Sequence, residues 1–280
     1  MCDSFLPNKK WPSAYSGTIH VDAPSVSEGI RPYLQQIDPS RSALISAQTG
    51  YGKTTFILKE YIPYFFRAPH RVLLIVSNRI ALYEQIRKAL SNSRLFFIET
   101  QHDDHCVIFG NPFPQGPNHW VILCKYHNLS KQLLDILQTA PPYLFTYSIV
   151  LDEAHYFTSD ALFNHYTSYT LETLITHAYF ATRIYMTATP DDVLPLLCYY
   201  ENRASERIQS DLNNKAYLSW RANYHVQPPL RVYSINGGFH MIPPLTVYSF
   251  PRNFSSYNCR YFRLFSEIQD LIFADTSSEK

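Results

Sequence analysis

Short, nearly continuous apolar runs punctuate the chain between residues 30 and 200. They lie at 43–47, 71–77, 120–125, 148–152 and 183–187, each flanked by turn or polar residues. Runs of this length without alternation predict strands buried on both faces of a parallel sheet. Between them the period lengthens. Ile80, Tyr83, Ile86 and Leu90 recur at spacings of three to four, with Glu84 and Lys88 on another face, and predict an amphipathic helix. Segments 129–137 and 162–175 behave alike, the second following Ser159 or Asp160 as its cap. Alternating strand and helix predicts a doubly wound α/β fold with a central, mostly parallel sheet and right-handed crossovers.

The ends read differently. Residues 1–29 are polar and rich in Pro and Ser, and predict a loosely packed lead-in before a core domain over 30–200. Beyond Tyr200 aromatics and prolines accumulate and helical periodicity fades until 261–272. Segments 230–235 and 239–242 flank Asn236-Gly237-Gly238 as a hairpin. We therefore expect a β-rich, aromatic extension over 201–273 and a flexible tail over 274–280.

With 46% hydrophobic residues and 280 positions, the chain can bury a full core, which excludes a disordered protein. Lys and Arg total 24 against 23 Asp and Glu. That balance excludes a strongly basic tail but leaves room for a local basic stripe. Five scattered cysteines without a CxxC pair read as reduced thiols. No apolar run approaches the ~20 residues of a membrane span, so a soluble cytoplasmic protein with no membrane partner is expected.

Only eight glycines occur, and two of them fall in one short loop. Ala47-Gln48-Thr49-Gly50-Tyr51-Gly52-Lys53-Thr54 follows a strand, and Thr55 continues into a helix-like segment. This is the setting of a phosphate-binding loop, with Ala47 where the general pattern has Gly. Gly50 and Gly52 permit a tight wrap of backbone N–H groups around phosphate oxygens. Lys53 would reach the β- and γ-phosphates of ATP, and Thr54 would set its hydroxyl on Mg²⁺. Farther on, the strand 148–152 ends in Asp152-Glu153-Ala154-His155. Paired carboxylates at the end of a buried strand are costly without a cation. A magnesium-bound triphosphate accounts for both, with Asp152 on the metal and Glu153 as base for the attacking water.

Asp152-Glu153-Ala154-His155 is a DEAH box as written, and with 47–54 it resembles the ATP-binding domain of superfamily 2 helicases and translocases. Met186-Thr187-Ala188-Thr189-Pro190 is similar to that family's third motif. Ser77-Asn78-Arg79 sits where the family has motif Ia. Tyr126 and Leu129 sit where many members have Thr-Tyr-x-x-Leu, with Lys125 in place of Thr. The resemblance spans about 30–190. It implies that His155, Thr187 and Thr189 couple the nucleotide site to a nucleic-acid track, and that Ser77, Asn78 and Arg79 touch a DNA or RNA backbone.

The family works with two RecA-like domains, the second supplying arginine fingers. None of the arginines in 191–280 lies in a Gly-Arg context, and the ~80 residues after Tyr200 are few for a second α/β domain. The expectation is an incomplete ATPase, weak or inactive alone, that needs a second RecA-like domain or a partner protein to supply arginine. A non-catalytic binding module and an oligomeric motor that borrows a neighbour's arginine are the alternatives. His102-Asp103-Asp104-His105-Cys106, with Cys124 and His127, matches no structural zinc spacing. The aromatics Tyr224, Tyr233, Tyr248, Phe250, Tyr257 and Tyr261 fit packing onto the core better than stacking on bases.

Overall fold

The computed structural model describes residues 15–37, 42–78, 80–92, 98–103, 106–110, 119–142, 144–159, 166–213, 232–235, 238–241 and 245–250. The strands are β1 (Tyr15–His20), β2 (Ser42–Ser46), β3 (Arg71–Val76), β4 (Ile98–Asp103), β5 (Cys106–Gly110), β6 (His119–Cys124), β7 (Thr146–Leu151), β8 (Thr182–Thr187), β9 (Val232–Ile235), β10 (Gly238–Met241) and β11 (Leu245–Ser249). The helices are α1 (Val26–Ile30), α2 (Leu34–Ile37), α3 (Lys53–Phe56), α4 (Ile62–Phe65), α5 (Ile80–Ser91), α6 (Tyr126–Thr139), α7 (Tyr156–Ser159), α8 (Tyr166–His177) and α9 (Leu194–Asn213).

Nine strands form one sheet in the order β1-β11-β2-β8-β7-β3-β6-β5-β4. Every pairing from β1 to β6 is parallel, while β5 runs antiparallel to both β6 and β4. The five apolar runs become β2, β3, β6, β7 and β8, and they read as continuous because both faces are covered. Leu44, Leu74, Ile149 and Tyr185 pack with α6, α8 and α9 residues such as Leu129, Leu174 and Leu197. Their neighbours Ile45, Ile75, Val150 and Met186 face the other way, against Val26, Phe56, Phe65 and Ile86. Alternate side chains enter two different cores, and each core demands an apolar residue. Segments 232–235 and 238–241 pair as an antiparallel hairpin, as expected.

Both boundaries depart from the sequence expectation. The lead-in contributes β1 to the sheet and then α1, which Ser25 caps by accepting from the Glu28 N–H while its own hydroxyl donates to the Glu28 carboxylate. Val21, Val26 and Ile30 are buried there, enough apolar surface to dock a short segment despite its polar composition. At the other boundary Tyr200 falls inside α9, which continues to Asn213. Its Glu201 is wholly buried. The carboxylate accepts from Arg183 Nε at 2.5 Å, Arg183 Nη2 at 3.0 Å and the Tyr185 hydroxyl at 2.8 Å. Burial works against the Arg183 charge, but the facing carboxylate outweighs it and holds the guanidinium above its usual pKa. A buried acid hidden among polar residues masks the periodicity of α9. β11 enters the sheet between β1 and β2, so Tyr248 and Phe250 are core residues. Segment 261–272 lies outside the described residues. Ser159 closes α7, its hydroxyl donating to the His155 carbonyl, while Asp160, the other cap candidate, lies outside the described residues. Among the described residues no helix is long and apolar enough to cross a membrane.

Candidate nucleotide site

The glycine-bent loop begins where β2 ends. Gly50 has φ 90° and Gly52 φ 79°, both in the left-handed region that side-chain-bearing residues avoid. Gly52 precedes α3, whose first turn carries no acidic residue. The Lys53 ammonium donates to the carbonyls of Ala47 at 2.8 Å and Gln48 at 3.3 Å, lying across the loop's own backbone. Ala47 and Lys53 are buried, Gln48, Tyr51, Gly52 and Thr54 are half-buried, and Thr49, Gly50 and Thr55 are exposed. The loop is tethered through the Val26 N–H, which donates to the Tyr51 carbonyl at 2.9 Å. Phe250 lies behind it, edge-on to the Tyr51 ring. The following helix widens into a π turn over Ile57–Tyr61 before α4. Pro63 has no N–H for the Lys59 carbonyl, and a wider turn is the backbone's way around that lost bond. Within the turn, Tyr61 shares a 2.6 Å hydroxyl–hydroxyl bond with Ser148 on β7.

The acidic box leaves β7 at the same edge of the sheet. Strand order puts β8 alone between β2 and β7, so the ends of these two strands stand about 9–10 Å apart, two inter-strand spacings. Backbone bonds continue past the strands: Ala47 N–H to Thr187 O, Asp152 N–H to Val76 O, and Ala154 N–H to Met186 O, all near 3 Å. Asp152 and Glu153 are buried, and Glu153 adopts φ 54°, left-handed for a residue with a side chain. His155 Nδ1 lies 3.3 Å from a Glu153 carboxylate oxygen and 3.4 Å from the Thr187 hydroxyl. The Thr187 oxygen also accepts from the Thr189 N–H at 3.1 Å. Thus 47–54, 152–155 and 187–189 converge on one edge.

Ser77 follows β3 and is buried, its N–H donating to the Cys124 carbonyl; Asn78 is exposed, and Arg79 lies outside the described residues. Tyr126, on the far side of β3, reaches the box: its buried hydroxyl donates to the Asp152 carbonyl at 2.7 Å. Burial, reinforced by the Asp152 and Glu153 charges, pushes the phenol well above its usual pKa, so it stays protonated as a donor. Sequence reasoning missed this contact and the support from Phe250. The Tyr126 acceptor is a backbone carbonyl, which leaves no signature in residue type.

Glycine-bent loop, intervening third-motif strand and acid pair, all at the carboxyl ends of a doubly covered parallel sheet, define a RecA-like ATP-binding domain of the helicase type. The family model described as type III restriction enzyme, res subunit, matches residues 24–192, more than half of the chain. The chain belongs to this family. No curated protein matches it.

Proposed function

We propose that this chain is the ATP-binding half of a nucleic-acid-dependent ATPase of the DEAH type, in which Lys53, Thr54, Asp152 and Glu153 handle a magnesium-chelated triphosphate. The observation that carries the reading is the neighbouring order of β2, β8 and β7, which delivers a left-handed glycine loop and two buried acids to one edge. These residues fit the ligand. Residues 47–55 offer backbone N–H groups and a helix N-terminus to phosphate oxygens. Lys53 would exchange its loop carbonyls for the β- and γ-phosphates. Thr54 and Asp152 would hold Mg²⁺, and Glu153 would orient and deprotonate water. Bound ATP-Mg supplies an electrophilic γ-phosphorus; this chain's part is to position it and to accept a proton at Glu153. His155, within reach of both Glu153 and Thr187, would report nucleotide state to Thr189 and the outer face. Ser77, Asn78 and Arg79 would meet the backbone of a DNA or RNA strand. An arginine supplied by a second RecA-like domain or a partner would contribute about 10³–10⁵ in rate.

Lys53→Ala tests the reading. Charge-assisted hydrogen bonds contribute about 1.5–3 kcal/mol, so affinity for a fluorescent ATP should fall roughly 10- to 100-fold. Glu153→Gln should bind as the parent does and release no phosphate. Unchanged affinity in Lys53→Ala would overturn the assignment.

A further inference from the structure

We infer that Tyr126 is a positioning residue that couples the nucleic-acid side of the domain to the acidic box, by tying the first residue of α6 to the backbone of Asp152. The inference rests on the function proposed above and adds the route by which one ligand alters the affinity of the other.

The geometry is specific. Tyr126 begins α6 with only Lys125 separating it from the end of β6, and β3 lies between β6 and β7. The ends of these three strands are stitched by backbone bonds from Ser77 to Cys124 and from Asp152 to Val76. The Tyr126 side chain adds a link that crosses over β3, from α6 to the residue after β7. Its ring stacks on Tyr156 at 4.5 Å between centroids and meets Phe157 edge-on at 5.2 Å. Both belong to α7, which starts one residue after the box. Tyr126 therefore holds the acidic segment at its carbonyl and also at the helix that follows.

What it holds is a segment under backbone tension. Glu153, the next residue, has its left-handed φ, and such a conformation persists only where the surroundings over-determine it. At the other end of the link the α6 N-terminus has no acidic residue in its first turn and no side-chain cap, and Lys125 precedes it, largely buried. The nucleic-acid end of the link is Ser77, proposed above to meet the strand, whose N–H holds the Cys124 carbonyl two residues before Tyr126. Any shift of the α6 N-terminus must move Tyr126, and so the Asp152 carbonyl, or break a buried hydrogen bond. A hydroxyl can carry such a displacement; the phenyl ring without it keeps the packing and loses the tie.

The test is a coupling measurement on the full chain. Fluorescent ATP with Mg²⁺ is titrated with and without saturating single-stranded oligo(dT) or oligo(U), in the parent and in Tyr126→Phe. The parent should show a change in nucleotide affinity of about fivefold or more between the two conditions. In Tyr126→Phe the ratio should fall to about one while each ligand alone binds within roughly twofold of the parent, a pattern that loss of packing does not produce. A ratio retained in Tyr126→Phe, or equal affinities in the parent, would overturn the inference. Lys53→Ala separates the two layers: a parent that binds nucleotide through Lys53 but shows no coupling defeats this inference alone, whereas indifference to Lys53 defeats the functional reading first. Amide exchange gives a second measurement independent of the variant. Oligonucleotide should change exchange across 152–156 in the parent, and no change there would also overturn it.

Discussion

Glu153 offers a sharp test because two substitutions differ only in what the backbone feels. Glu153→Ala and Glu153→Gly both delete the carboxylate and its contact with His155, so those losses cancel between them. At the observed φ of 54° a Cβ crowds its own carbonyl, at a cost of about 1–2 kcal/mol that glycine escapes. Glycine in turn loses roughly 0.5–1 kcal/mol more conformational entropy on folding. The Gly variant should therefore be the more stable, by about 0.75 kcal/mol at the midpoints of the two ranges. At an ordinary negative φ the order would reverse. For a domain of this size the difference corresponds to about 1–4 °C in Tm. Paired thermal melts and urea titrations without nucleotide read it directly. An alanine variant that melts at or above the glycine variant would mean that Glu153 is not held left-handed, and the tension ascribed to the acidic segment would go with it. The box conformation is fixed by the Asp152–Val76, Ala154–Met186 and Tyr156–Glu153 backbone bonds. The tension therefore sits on the residue proposed to handle water, where strain serves a purpose.

Two other perturbations probe the scaffold. Glu201→Ala leaves the buried Arg183 guanidinium without its carboxylate, still donating to the Ala178 carbonyl at 2.7 Å, and should cost about 3–5 kcal/mol; the paired change Arg183→Met with Glu201→Leu should recover most of it in urea titrations, and a mild Glu201→Ala would detach α9 from the core as described. His119, whose ring centroid lies 4.8 Å from that of Phe66, has its pKa lowered by burial, with His70 and Arg71 adding repulsion. A histidine depressed in the folded state is protonated first in the unfolded chain, so its contribution is intact above the ordinary 6.5 and drains away as pH falls below it. Melts from pH 8 to about 5 should steepen below that point in the parent and flatten in His119→Gln.

What could be read in the chain follows from how local each signal is. The five central strands announce themselves because two covered faces require apolar residues at every position. The phosphate loop and acidic box are contiguous residues with one chemical purpose, so their convergence follows once the strands are parallel. Other features of the fold escaped. β11 is five residues long and sits after a stretch rich in Pro and aromatics, and nothing local says that it inserts beside β2. α9 beyond Tyr200 hides its buried face behind Glu201, an acid made tolerable by Arg183 from another element. Ile80, first in the helical pattern, is in fact exposed at the start of α5, since an end residue need not face the core that the rest of the helix covers.

The place of β11 sets an order of events during synthesis. β2, which carries the phosphate loop, has β11 as its neighbour on one side, and β1 reaches the sheet only through β11. Phe250 then bonds back to Ser46 and packs behind Tyr51. A nascent chain released up to Asn213 holds every residue proposed to touch nucleotide, yet its loop strand still has an open flank and its first strand has nowhere to dock. A fragment ended there would carry the whole nucleotide signature in its letters and fail to hold it in shape.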